Sequence, residues 1–220
     1  MTTLNQEELT CVVCGSKSEH TSIASTNSFG SPDLDLRPPE MQRSTMSYWV
    51  QECPECGYAY SSITEKADNS SITISSDAYK ALLSGELSGS LLGRFAKASL
   101  IAEGAADISA AANYALNAAW AADDAHDKEC AISYRNRAAD LFQSILKNID
   151  DESEESIITR TRLVDILRRA ERWEKSIETA NTLLNSNLDT TIRAVLEFEH
   201  SVAAKRDPNC YTVEAAVGGN

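Results

Sequence analysis

Two short stretches hold residues whose type and spacing can do chemistry. They are Cys11-Val12-Val13-Cys14-Gly15 and Cys53-Pro54-Glu55-Cys56-Gly57, with 38 residues between Cys14 and Cys53. A Cys-x-x-Cys turn aims two sulfurs at one point and lets the intervening backbone N–H groups hydrogen-bond to the thiolates. Two such turns complete the tetrahedron that structural zinc takes, with bonds of about 2.3 Å. Glycine after each second cysteine suits a turn position where a Cβ would clash, and Pro54 fixes one backbone angle of the second knuckle. The spacing predicts one metal site formed by Cys11, Cys14, Cys53 and Cys56. Such pairs usually stand about 15–20 residues apart, so the longer insert implies an elaborated loop or extra strands inside a ribbon.

Other fates for these thiols are weaker. A redox pair needs one Cys-x-x-Cys at a helix start in a βαβ unit, and neither knuckle runs into a helical pattern. Disulfides are disfavoured because residues 1–9 are polar and acidic, without the apolar core or basic head of a secretory signal. The expected location is the cytoplasm. Cys130 falls in an alanine-rich helical pattern and reads as a buried inert thiol. His20 is a spare ligand that a complete four-sulfur shell leaves at the surface; His126 and His200 also read as surface residues. Catalytic zinc keeps an open coordination position and four thiolates leave none, so the expectation is structural zinc and no enzyme.

Charge narrows the partners. The 220-residue chain carries a formal charge of −13, and residues 1–75 hold four Lys/Arg against ten Asp/Glu. Nucleic-acid backbones demand a basic surface, so a DNA- or RNA-binding ribbon is disfavoured. An apolar run near the ~20 residues of a membrane span is missing.

The elements that must position the site follow in order. Residues 9–13 and 15–19 read as short strands around the first knuckle, and residues 21–29 as a strand or irregular extended segment. The stretch Pro32-Asp33-Leu34-Asp35-Leu36-Arg37-Pro38 reads as an ordered loop with its leucines packed inward. Asp33, Asp35 and Arg37 could form a ligand site; the preferred reading has Arg37 clamping the loop onto a nearby carboxylate. Residues 46–52 read as a strand entering the second knuckle and 58–60 as one leaving it, their aromatics forming the ribbon's own small core. Residues 62–76 are serine-rich without helical period and mark a boundary.

From residue 77 onward apolar residues recur at helical spacing, and Asp107, Asp127 and Asp189 stand as N-caps. Helices are predicted over 77–84, 90–103, 108–124, 128–149, 157–172, 173–187 and 190–205. Short connections make them antiparallel hairpins. Leu163, Val164 and Leu167, then Trp173, Ile177, Ala180 and Leu184, sit as in a tetratricopeptide-like unit, though the 34-residue period is poorly kept. The predicted class is α+β, mostly α: a four-cysteine ribbon over 1–75, tetratricopeptide-like hairpins over 76–206 and a disordered tail over 207–220.

The order of Cys-x-x-Cys-Gly, Pro-Asp-Leu-Asp-Leu-Arg-Pro, Tyr-Trp-Val-x-x-Cys-Pro-x-Cys-Gly-Tyr and alanine-rich hairpins resembles a family of uncharacterised prokaryotic proteins. That family is filed as a domain of unknown function and described as a zinc ribbon joined to tetratricopeptide-like helices. The resemblance covers residues 9–187; it implies zinc at the four cysteines and no reaction. The expected function is a zinc-fixed scaffold or adaptor whose helical hairpins bind a protein or peptide, an acidic groove favouring basic partners. The alternatives are a rubredoxin-like iron electron carrier, which the knuckles also resemble, and a nucleic-acid-binding regulator.

Overall fold

The computed structural model describes residues 1–150 and 153–218. Strands β1 (Thr3–Thr10) and β2 (Lys17–Ser25) form an antiparallel hairpin whose turn is the first knuckle. A 3-10 helix, Arg43–Tyr48, precedes the two-residue strands β3 (Gln51–Glu52) and β4 (Ala59–Tyr60), which pair around the second knuckle. Nine helices follow among the described residues: α1 (Ser70–Ile74), α2 (Asp77–Ser84), α3 (Leu91–Gly104), α4 (Ile108–Asp124), α5 (Lys128–Leu146), α6 (Glu154–Arg169), α7 (Trp173–Leu184), α8 (Thr190–Ala204) and α9 (Val213–Val217). The class is α+β and mostly α. No helix among the described residues is long and apolar enough to cross a membrane.

Most helix starts follow the capping rule. Ser76, Ser90, Asp107, Asp127, Ser153 and Asp189 each accept a backbone N–H in the first turn from the side chain. The ends are less expected. α3, α4, α6 and α8 all stop on a left-handed residue, namely Ala106, His126, Glu171 and Arg206. In each case the next N–H closes onto a carbonyl five residues back: Asp107 on Ala102, Asp127 on Ala122, Arg172 on Leu167 and Asp207 on Val202. This is the Schellman stop without its usual glycine, which is why glycine-based punctuation does not find it.

Packing crosses the boundary expected near residue 75. Met46, Val50 and Ala59 share one buried cluster with Phe95, Leu116, Trp120 and Phe142. Cys11, Cys53, Tyr58, Tyr60 and Ile63 share another with Tyr79, Ile101, Ala102 and Ala111. The ribbon aromatics therefore build a joint with α2, α3 and α4 and not a separate core. Residues 62–76 belong to it: Ile63 and Ala67 are buried, and the Val12 N–H bonds to the Ile63 carbonyl.

Two further expectations are corrected. Of the strand expected over 46–52 only Gln51–Glu52 forms and residues 46–48 end a 3-10 helix, because the Thr45 hydroxyl bonds back to the Gln42 carbonyl at 2.7 Å and accepts the Trp49 indole N–H at 2.9 Å. Such local side-chain bonds compete with strand pairing. The tail expected to be disordered is structured over residues 207–218. Thr212 bridges Asp33, α9 follows, Ala216 is buried and Tyr211 packs edge-on against Phe198. Residues 151–152, within the acidic stretch 150–155, and 219–220 of the tail lie outside the described residues.

Beneath that tail lies a buried charge cluster. Arg168, fully buried, donates to Glu199 at 2.8 Å, to Asp165 at 2.5 Å and to the carbonyls of Asp207 and Asn209. Burial and the neighbouring Asp165 carboxylate push the Glu199 carboxyl well above its ordinary range against the pull of Arg168. Folding therefore favours the protonated form of Glu199. In the unfolded chain the same group ionises near the ordinary 4.5. The folded state then binds the extra proton, so stability falls as pH rises from that value toward the raised one. Glu199→Gln should remove this decline. Thermal melts at a series of pH values above 4.5 should show parent stability falling by at most about 1.4 kcal/mol per pH unit, and a shallower fall in the variant.

Candidate metal centre

Each knuckle is built by the same backbone bonds. The Cys11 N–H donates to the Ser16 carbonyl and the Gly15 N–H to the Cys11 carbonyl; the Cys53 N–H donates to the Tyr58 carbonyl and the Gly57 N–H to the Cys53 carbonyl. The two turns are thus copies of one motif. Gly15 and Gly57 take φ of 75° and 71°, the left-handed region where an L side chain is strained. At Gly57 space is also lacking, since a Cβ would meet Leu83 Cδ2 at 2.2 Å. Leu83 belongs to α2, so the helical region presses directly on the second knuckle. Tyr79 of α2 completes the contact, its hydroxyl donating to the Gly57 carbonyl at 2.8 Å and accepting the Ala59 N–H at 3.1 Å.

The turns bring all four sulfurs together. Cys11 Sγ lies 3.7 Å from Cys56 Sγ and Cys14 Sγ lies 3.6 Å from Cys53 Sγ, with all four atoms within 4.8 Å of one another. A tetrahedron with bonds of about 2.3 Å has sulfur–sulfur edges of about 3.8 Å. A disulfide would need about 2.05 Å, and all four cysteines are free. The donor set and its dimensions fit a tetrahedral metal ion. Cys11 and Cys53 are buried in the joint, whereas Cys14 is exposed.

The local field is uneven. Burial pushes the Cys11 and Cys56 thiols up, backbone N–H groups opposing it at both. The Ser16 hydroxyl and backbone N–H pull the Cys14 thiol down to about 6. Ser16 is a residue the sequence reading passed over. Its Oγ stands 3.1 Å from Cys14 Sγ and 3.2 Å from Cys53 Sγ, so one hydroxyl serves a sulfur of each knuckle. Its only sequence signal is a hydroxyl directly after the first Cys-x-x-Cys-Gly. Ser16→Ala should weaken metal affinity by roughly tenfold, the lower end for loss of a group supporting the ligands. Competition against a chromophoric chelator reads this directly.

His20 stays outside the sulfur cluster, its Nε2 2.8 Å from Ser18 Oγ. The Asp33–Arg37 loop also takes no part in the sulfur cluster and acts as a brace reaching the helices. Asp35 is fully buried; its Oδ2 accepts the Trp120 indole N–H at 2.7 Å and pairs with Arg169 at 3.3 Å and Arg135 at 3.9 Å. Its carbonyl accepts from Arg162 Nε at 2.8 Å. Burial alone would raise the Asp35 carboxyl, but Arg169, Arg135, Trp120 and Arg162 hold it below the usual range. Asp123 links Arg135 and Arg169, and Arg37 donates to Asp124 at 2.5 Å. Arg37 does clamp a carboxylate, though one 87 residues away on α4. Leu34 packs inward at 3 % exposure, but Leu36 is left 44 % exposed. The helix face against this loop is thus lined by arginines.

Fold and site together define an α+β protein in which four clustered cysteines that could hold a metal ion lie in a joint between a β-hairpin region and a helical array. No known protein family, curated protein or solved structure matches the chain.

Proposed function

We propose that the chain is a non-enzymatic scaffold or adaptor in which a structural zinc ion, held by Cys11, Cys14, Cys53 and Cys56, fixes the joint between ribbon and helices. The supporting observation is the closed set of four sulfurs at tetrahedral spacing, two of them buried against α2, α3 and α4. Such a shell has no position for substrate. Its remaining work is to set the shape on which the helices present a surface to a protein or peptide partner. Free thiols at metal distance suit a reducing compartment such as the cytoplasm.

The matched knuckles favour one second reading, a rubredoxin-like iron centre, because the same sulfur tetrahedron with backbone N–H donors serves iron. Elemental analysis of the purified chain tests the choice. The scaffold reading expects one zinc per chain and a colourless solution; iron with strong visible absorbance would move the protein to the electron carriers.

A further inference from the structure

Beside the brace loop lies a cleft of 280 Å³ whose wall is almost wholly apolar, formed by Leu34, Leu36, Ile158, Ile192, Val195 and Val213. It brings the loop, α6, α8 and the start of α9 to one place. Ile158 is 43 % exposed at its mouth. Leu36 holds φ at 66°, a left-handed conformation that disfavours leucine, while burying little more than half its surface. Core packing does not account for a leucine there. Leu36 is also the ridge between this cleft and a second one of 610 Å³, which Trp49, Trp120, Pro38 and Asn117 help to line. The Asn117 carboxamide makes no hydrogen bond among the described residues.

Exposed carboxylates adjoin the lining residues in the chain, while Arg193, beside Ile192, is committed to the Leu184 and Ser186 carbonyls. Glu154 and Glu155 are exposed one turn before Ile158 on α6, Asp189 caps α8 beside Thr191 and Ile192, and Glu214 follows Val213. The cation in the wall, Arg162, is committed to the Asp35 carbonyl and to Asn113 Oδ1. Arg160 bonds to Ser156 and faces a different cleft.

We infer that this surface docks an extended peptide segment that places one branched aliphatic side chain in the apolar cleft, flanks it with Lys or Arg, and crosses the Leu36 ridge toward Asn117. Each part of the occupant answers a part of the surface: the aliphatic anchor the cleft, the basic flanks the four carboxylates, the peptide backbone the free carboxamide. The inference rests on the scaffold reading above and names its partner class.

The test uses the metal-loaded full chain and a phage-displayed library of random peptides. Enriched sequences should converge on Leu, Ile or Val between basic residues, and a synthetic representative should bind saturably by fluorescence anisotropy. Replacing its aliphatic residue with Ala should weaken binding by roughly tenfold to a hundredfold. Ile158→Glu should do the same with unchanged circular dichroism. Leu36→Asn should weaken binding while leaving the melting temperature close to that of the parent, because asparagine tolerates the left-handed backbone. No convergent sequence, an acidic or aliphatic-free consensus, or equal binding to Ile158→Glu would overturn the docking site. A partner cross-linked elsewhere on a zinc-loaded chain would remove this inference alone, whereas a chain that takes up no metal would remove the scaffold reading beneath it.

Discussion

Stripping the metal with a strong chelator should unfold much more than the ribbon. Structural zinc in small domains supplies roughly 10–16 kcal/mol of apparent binding free energy, comparable with the whole stability of a typical domain at about 5–15 kcal/mol. The reason the loss spreads lies in the packing. Cys11 and Cys53 are themselves members of the cluster that includes Tyr79, Ile101 and Ala111. Tyr79 bonds to Gly57 and Ala59 where the chain leaves the second knuckle, and Leu83 sits against Gly57. With the knuckles open, four thiols lose their common ion and α2 and α3 lose the surface they rest on. The expected outcome is loss of helical circular dichroism together with a red shift of tryptophan fluorescence, since Trp49 and Trp120 border the adjoining cluster. Cys53→Ser should reproduce it without chelator. A ribbon that melts while the helical signal stays whole would show that the two regions fold apart.

The second large effect belongs to Asp35. Removing one partner from a buried ion-pair network leaves the other charge stranded, at a cost of about 3–5 kcal/mol. Asp35→Ala leaves the two buried cations Arg169 and Arg135 to share Asp123 alone and also takes the acceptor from the Trp120 indole. The unfolding midpoint in urea should fall steeply. Removing Glu8 from its exposed pair with Lys17 should change it little. The acid limb of stability has the same source. The Asp35 and Asp123 carboxyls are held below the ordinary 3.8 by their arginines despite burial. Their stabilisation is complete above that value and is lost as pH falls through the folded-state values. Asp35→Ala should flatten this limb, opposite in sign to the loss that Glu199 causes as pH rises.

Local signals carried much of this into the sequence. The Cys-x-x-Cys-Gly pairs name the metal site because a half-site needs only five consecutive residues, and Asp107, Asp127 and Asp189 mark helix starts because caps act within one turn. What local pattern could not give was which distant charges meet. Asp35 and Arg169 are 134 residues apart in the chain, and periodicity says only that each sits in a loop or on a helix. Arg162, Arg168 and Arg169 look like the polar side of a surface helix until the loop that answers them is placed. The tail misled for a related reason. Asp207-Pro208 and the terminal glycines read as a stop, whereas its order comes from Arg168 gripping two tail carbonyls and from a bridge to Asp33. Too few apolar residues lie there to show a period.

The central claim is that two knuckles far apart in the chain close on one ion. X-ray absorption at the metal edge of the purified 220-residue chain tests it most directly. Four sulfur scatterers at about 2.3 Å on zinc, falling to fewer in Cys14→Ser and again in Cys56→Ser, is the result expected. A shell of nitrogen and oxygen, or one that neither substitution alters, would contradict it.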